Sequence, residues 1–173
     1  MGQILATNSW NDFILVDSTF YSVNLIFNQH GLNTLDMHPR TDEENPKGPP
    51  PVGFMCVHQW LIDYFNGNCQ VVDFPIDWAQ FTPFQRRALE AVAAIPYGEV
   101  LTYKDVAIKI HQPTAIRAVA HANATNPMPI VIPCHRVIGS DRRLHGYSGP
   151  GGLAFKAYLL RLEGLSIDRQ RVV

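Results

Sequence analysis

Between residues 82 and 152, proline and glycine interrupt the chain so often that only short helices fit. The breaks stand at Thr82-Pro83, Ile95-Pro96-Tyr97-Gly98, His111-Gln112-Pro113, Asn126-Pro127 and Gly149-Pro150-Gly151-Gly152. Proline lacks a backbone N–H and clashes with the preceding turn, so each break ends a helix or opens one. Thr82 as cap, with Pro83 at the first position, predicts a helix to about Ala94. Thr102 predicts a second, Tyr103 to Ile110, and Thr114 to Thr125 a third, stopped by Asn126-Pro127. A last helix is expected from about Leu153 to Leu162, ending near Glu163-Gly164. Ile130-Val131-Ile132 reads as a short buried strand.

The first half is patterned differently. Phe13 to Val16 and Tyr21 to Phe27 are short β-type runs bounded by Asp-Ser and Asn-Gln-His-Gly, as in a meander or hairpin. His38 to Val52 is rich in proline and reads as a loop. Phe54 to Phe65 has helical spacing and ends at Asn66-Gly67; Val71 to Ile76 could add a strand. The fold class expected is α+β. Residues 1–78 would form a small antiparallel sheet with a helix. Residues 79–173 would form a mostly helical domain, whose two short helices around His111-Gln112-Pro113 resemble a helix-turn-helix. A chain of 173 residues buries about 70% of its unfolded surface, enough for a core without staples.

Charge divides the same way. Residues 1–78 hold 2 Lys/Arg against 9 Asp/Glu, net −7; residues 79–173 hold 12 against 6, net +6. A basic half suggests a polyanion partner, and two ordinary solvated faces are the alternative. The longest uncharged runs are broken by proline or glycine well before 18 residues, so no membrane-spanning helix is expected. Met1 to Thr7 has no cationic segment before an apolar run, and Ala6 breaks a near-match to a myristoylation start. Three cysteines (Cys56, Cys69, Cys134) without a CxxC argue against a disulfide framework or a four-cysteine zinc site. His30, His38, Cys56 and His58 lack ligand spacing. The expectation is a soluble, cytoplasmic protein with free thiols, no metal and no cofactor.

Cys56 and Cys69 read as inert small apolar residues. Cys134 differs, because it follows an apolar run and a proline and is flanked by His135 and Arg136. A nucleophilic cysteine needs a base or nearby positive charge to form its thiolate.

Ile132-Pro133-Cys134-His135-Arg136-Val137-Ile138-Gly139 resembles the active-site signature of the O6-alkylguanine-DNA alkyltransferases, the methylated-DNA–protein-cysteine methyltransferases. Phe81-Thr82-Pro83-Phe84-Gln85, Ile95-Pro96-Tyr97-Gly98-Glu99, Thr102-Tyr103, Arg117-Ala118-Val119, Asn126-Pro127, Gly146-Tyr147-Ser148-Gly149 and Leu159 to Gly164 resemble other family segments, in order. The resemblance covers about residues 60–164.

It implies DNA repair by one alkyl transfer, from O6-alkylguanine or O4-alkylthymine in double-stranded DNA, to an ionised Cys134. The base would be flipped out of the duplex, without a cofactor, by a monomer. His135 would take the thiol proton, Glu163 would hold the imidazole, and Asn126 would brace the cysteine turn. Arg136 would pair with a carboxylate of the N-terminal half. Tyr103 would act on the target phosphate and base, and Arg117 would fill the gap left in the duplex. Ala118 and its small neighbours would let the helix approach the minor groove. The Val137 carbonyl and Ser148 N–H would meet the base, while Tyr147 and Gly149 would shape the closing loop. Ala120 stands where the family usually has glycine, and Ala124 where many members are basic.

Three other readings compete. A non-catalytic lesion binder of the alkyltransferase-like kind would carry tryptophan in place of Cys134. A helix-turn-helix regulator would tolerate replacement of Cys134. A Cys–His hydrolase would turn over without DNA.

Overall fold

The computed structural model describes residues 8–16, 18–41, 52–68 and 71–173. The chain divides into two compact units, Met1–Gln80 and Phe81–Val173. Cys69 and most of the expected 38–52 loop lie outside the described residues.

In the first unit, β1 (Asn8–Val16), β2 (Thr19–Asn28) and β3 (Gly31–Pro39) form an antiparallel meander. The sequence reading did not separate β3, whose Asn33, Thr34 and Asp36 dilute the apolar alternation. One face buries Trp10, Ile14, Val23, Leu25, Leu35 and Met37. Helix α1 (Val52–Phe65) presents Phe54, Val57, Leu61 and Tyr64 at helical spacing, and Phe54 meets Trp10 at 6.0 Å and Phe27 at 4.6 Å between ring centroids. Gly67 stops α1 in the left-handed conformation (φ 78°), its N–H donating to the Tyr64 carbonyl.

No strand forms over 71–76. Only Ile76 bridges to Leu32, with Leu32 N–H donating to the Pro75 carbonyl (2.8 Å). Pro75 has no N–H to return, so the ladder cannot extend. Cys56 on α1 is exposed, contrary to the reading of it as a buried apolar residue.

In the second unit, capping boxes open two helices. Thr82 and Gln85 bond reciprocally at α2 (Pro83–Ala93), and Thr102 and Asp105 at α3 (Tyr103–Lys109). His111 turns the chain with φ 57°, and α4 (Ile116–Ala124) completes the helix pair. The third helix therefore starts later than Thr114, without a side-chain cap. α4 buries Val119, Ala122 and Asn123 and exposes Arg117, Ala118, His121 and Ala124.

Ile130–Ile132 is a buried turn, not a strand: Ile130 has φ 73° and Ile132 N–H donates to Met128 O (2.9 Å). A β-branched residue in that region is strained, a cost borne just ahead of Cys134. Leu101–Thr102 (β4) pairs in parallel with Val137–Ile138 (β5), which follows the cysteine turn. Helix α5 (Gly152–Leu162) packs Ala157 and Leu160 on Ile138, Leu144 and Val172. The closing hairpin, β6 (Ile167–Asp168) and β7 (Arg171–Val172), was not foreseen. Its turn residues, Arg169 and Gln170, take positive φ (43° and 61°), where Asn-Gly would have announced a hairpin. Among the described residues, no helix is long and apolar enough to cross a membrane.

Candidate active site

The candidate centre is one 3-10 turn, Cys134–Arg136, lying directly before β5. Two asparagines from the end of α4 and its exit hold it. Asn123 Nδ2 donates to the Cys134 carbonyl (3.0 Å), and Asn126 Nδ2 donates to the Ile132 carbonyl (2.9 Å) while its Oδ1 accepts from Met128 N–H (3.0 Å). Asn126 thus braces the segment leading into the turn. Asn123 was missed, although asparagine inside a helix is poorly placed unless its side chain has a partner.

Behind the turn lies a buried ion cluster. Glu163 Oε1 is 2.7 Å from His135 Nε2, and both side chains are fully buried. Arg136 donates to the same carboxylate, from Nε to Oε2 (2.9 Å) and from Nη2 to Oε1 (3.0 Å), and from Nη1 to the Ile95 carbonyl (2.6 Å). Within the second unit, the carboxylate paired with Arg136 is Glu163. Gly98 N–H adds a donor to Oε2 (3.2 Å), and Tyr97 Oη donates to the Leu162 carbonyl (2.9 Å). The Pro96-Tyr97-Gly98 break thus supports the helix end that carries Glu163.

The charges follow from this packing. Burial works to raise the Glu163 pKa, but His135 and Arg136 outweigh it and hold the carboxyl at about 2. Burial lowers the His135 pKa below 6.5 against the pull of Glu163, so the imidazole rests neutral. Burial also raises the Cys134 thiol, which is 2% exposed, more than Asn126, Lys156 and two backbone N–H groups lower it. The resting sulfur is therefore a thiol, not the ionised group expected.

Lys156 was also missed. It is fully buried on α5, and its Nζ donates to the carbonyls of Val137 (2.6 Å) and His145 (2.9 Å). Burial brings its pKa down to about 8, and an ionised Cys134 would act the other way. The His145 carbonyl also accepts from Tyr103 Oη (3.3 Å), so α3 and α5 hold the start of the 145–149 loop together. Tyr147 places its hydroxyl in the interior without a hydrogen-bond partner among the described residues, and burial raises its pKa well above 10. A Cβ on Gly149 would collide with that ring, so any larger residue has to displace it. Ser148 is exposed. Arg117 and Ala118 are not gathered into the buried cluster; they stand on the open face of α4.

A family model described as 6-O-methylguanine DNA methyltransferase, DNA binding domain, matches residues 83–165. A methylated-DNA–protein-cysteine methyltransferase of Mycolicibacterium paratuberculosis is 39% identical over 154 residues, 88% of this chain and 92% of that one. The chain belongs to the methylated-DNA–protein-cysteine methyltransferase family. Another such protein, from Methanosarcina barkeri, is 48% identical over 103 residues. The chain spans 60–63% of the length of the curated relatives it matches at 48% identity. Among solved structures, Mycobacterium tuberculosis OGT in complex with DNA is similar with a TM-score of 0.72 and 34% identity, over 90% of this chain and 91% of that one. The α+β class expected from the sequence agrees with this likeness.

Proposed function

We propose that the chain repairs DNA by moving an alkyl group from O6-alkylguanine to the Cys134 sulfur, once per molecule, with O4-alkylthymine as a second substrate. The observation that carries this reading is the buried Glu163 carboxylate, shared between His135 and Arg136, the two residues that follow the cysteine in its own 3-10 turn. Glu163 holds Nε2, so the proton relay from the thiol falls to Nδ1, through a water. The resulting thiolate attacks the alkyl carbon. The S–C bond forms as the C–O bond breaks, and its electron pair leaves with the guanine. A thioether has no ready leaving group, so the sulfur is not regenerated.

Because Cys134 is 2% exposed, the 145–149 loop has to yield before a purine reaches it. The base reaches the site by flipping, at a cost of a few kcal/mol. The open face of α4 supports minor-groove binding, with Ala118 allowing close approach and Arg117 filling the vacated stack. Tyr103, neutral because burial raises its pKa, acts as a donor to the base and its phosphate. The Val137 carbonyl accepts from the base amine on its second lone pair, and Ser148 N–H donates to the departing oxygen. Tyr147 and Gly149 form the pocket wall. A monomer suffices, because every group invoked lies in one chain.

Incubation with a duplex bearing one O6-methylguanine, digestion, and mass measurement of the peptide spanning Cys134 tests this. One added methyl is expected, and none in Cys134→Ser. An unmodified wild-type peptide with the lesion still in the DNA would sink the proposal.

A further inference from the structure

Four arginines surround an open cavity of about 480 Å³ formed by the closing hairpin and the Asp141–Leu144 turn: Arg142, Arg143, Arg169 and Arg171. Their positions are poor choices for folding alone. Arg143 and Arg171 stand directly opposite each other in an antiparallel bridge, where like charges repel. Arg142 and Arg169 occupy left-handed backbone conformations (φ 62° and 43°), which glycine or asparagine would adopt at less cost.

The backbone beneath them is well tied. Leu144 N–H donates to Gln170 O (2.8 Å), Val172 N–H to Arg142 O (3.0 Å), and Arg142 Nε to Val172 O (3.0 Å). Two carboxylates, Asp141 and Asp168, face these four guanidiniums, which leaves an excess of positive charge. Arg143 lies 3.8 Å from an exposed Asp141, and Asp168 on the cavity wall forms no ion pair among the described residues. Four cations held on a rigid ladder at a sterically and electrostatically unfavourable spacing are suited to an anion with several charges.

The patch also has a telling location. Its first two arginines sit between β5, which leaves the Cys134 turn, and His145, whose carbonyl takes the Tyr103 hydroxyl. From these observations we infer that the patch binds backbone phosphates of the DNA duplex, outside the segment met by α4. This inference rests on the DNA-repair reading above.

The test uses the full chain and the double substitution Arg143→Gln with Arg171→Gln. Removing a facing like-charge pair leaves thermal stability unchanged or raised, whereas a structural role would lower it. Affinity for a duplex is expected to fall about tenfold at low salt, equally for damaged and undamaged DNA. The slope of log affinity against log salt should shrink by about 2. Alkyl transfer from free O6-benzylguanine should not change, and Arg143→Lys with Arg171→Lys should restore the slope. An unchanged slope and affinity in the Gln variant, with wild type binding and repairing DNA normally, overturns the phosphate patch alone. Failure of wild type to bind duplex overturns both readings. Loss of binding to inorganic polyphosphate with DNA binding intact would assign the patch to a soluble polyanion and also overturn the inference.

Discussion

Glu163 serves three partners at once, His135, Arg136 and the Gly98 N–H. Glu163→Gln removes the carboxylate charge that faces the buried guanidinium in that cluster. Breaking a buried pair in this way costs about 3–5 kcal/mol, to be read by urea unfolding at neutral pH. The pH dependence has a definite sign. The carboxyl pKa is depressed from 4.5 to about 2, so its stabilisation is fully present above 4.5 and lost as pH falls through about 2. The gap between wild type and variant should therefore close in strong acid; a constant gap would mean that charge is not its origin. His135 gives a second residue-scale prediction. Its pKa is lowered from 6.5 and the neutral ring is the base, so transfer from free O6-benzylguanine should hold its rate until pH drops below 6.5. A decline centred above 6.5 would remove His135 from the relay.

At the scale of elements, the connection 95–98 supports the end of α5. Gly98 has φ 76°, and a Cβ there would lie 3.0 Å from the Glu163 carbonyl. Gly98→Ala should cost about 1–2 kcal/mol from the left-handed backbone alone. It should also slow transfer, because the Gly98 N–H would withdraw from Glu163; full activity in a destabilised variant would separate the two effects. Helix α4 makes the opposite kind of prediction, since Arg117 is exposed and outside the buried cluster. Arg117→Ala should leave the unfolding midpoint and transfer from free O6-benzylguanine unchanged while slowing transfer from duplex DNA, where a base must be flipped. Equal slowing on both substrates would exclude a role in flipping.

For the whole molecule the governing quantity is charge distribution, net −7 in residues 1–78 and +6 in residues 79–173. Phosphate binding releases counterions, so repair of duplex DNA should weaken steeply with added salt while transfer from the neutral free base should barely respond. Titrating salt against both substrates checks this. A parallel decline would point to salt acting on the chemistry.

The helices of the second unit were legible in advance because their signals are local. Thr82 with Gln85, Thr102 with Asp105, and the prolines and glycines between them act within about four residues along the chain. Cys134 and its neighbours were legible as well, through their resemblance to a family signature. The surroundings of that cysteine were not, because they join residues far apart in sequence. The Arg136–Glu163 pair spans 27 residues, and the Lys156 contact with Val137 spans 19. Whether Cys134 rests as thiol or thiolate depends on how completely water is excluded around it, and only packing decides that. The closing hairpin escaped for the converse reason. Its turn uses Arg169 and Gln170 in conformations that local propensity disfavours, and the Leu144 and Val172 bonds to the neighbouring segment hold it there.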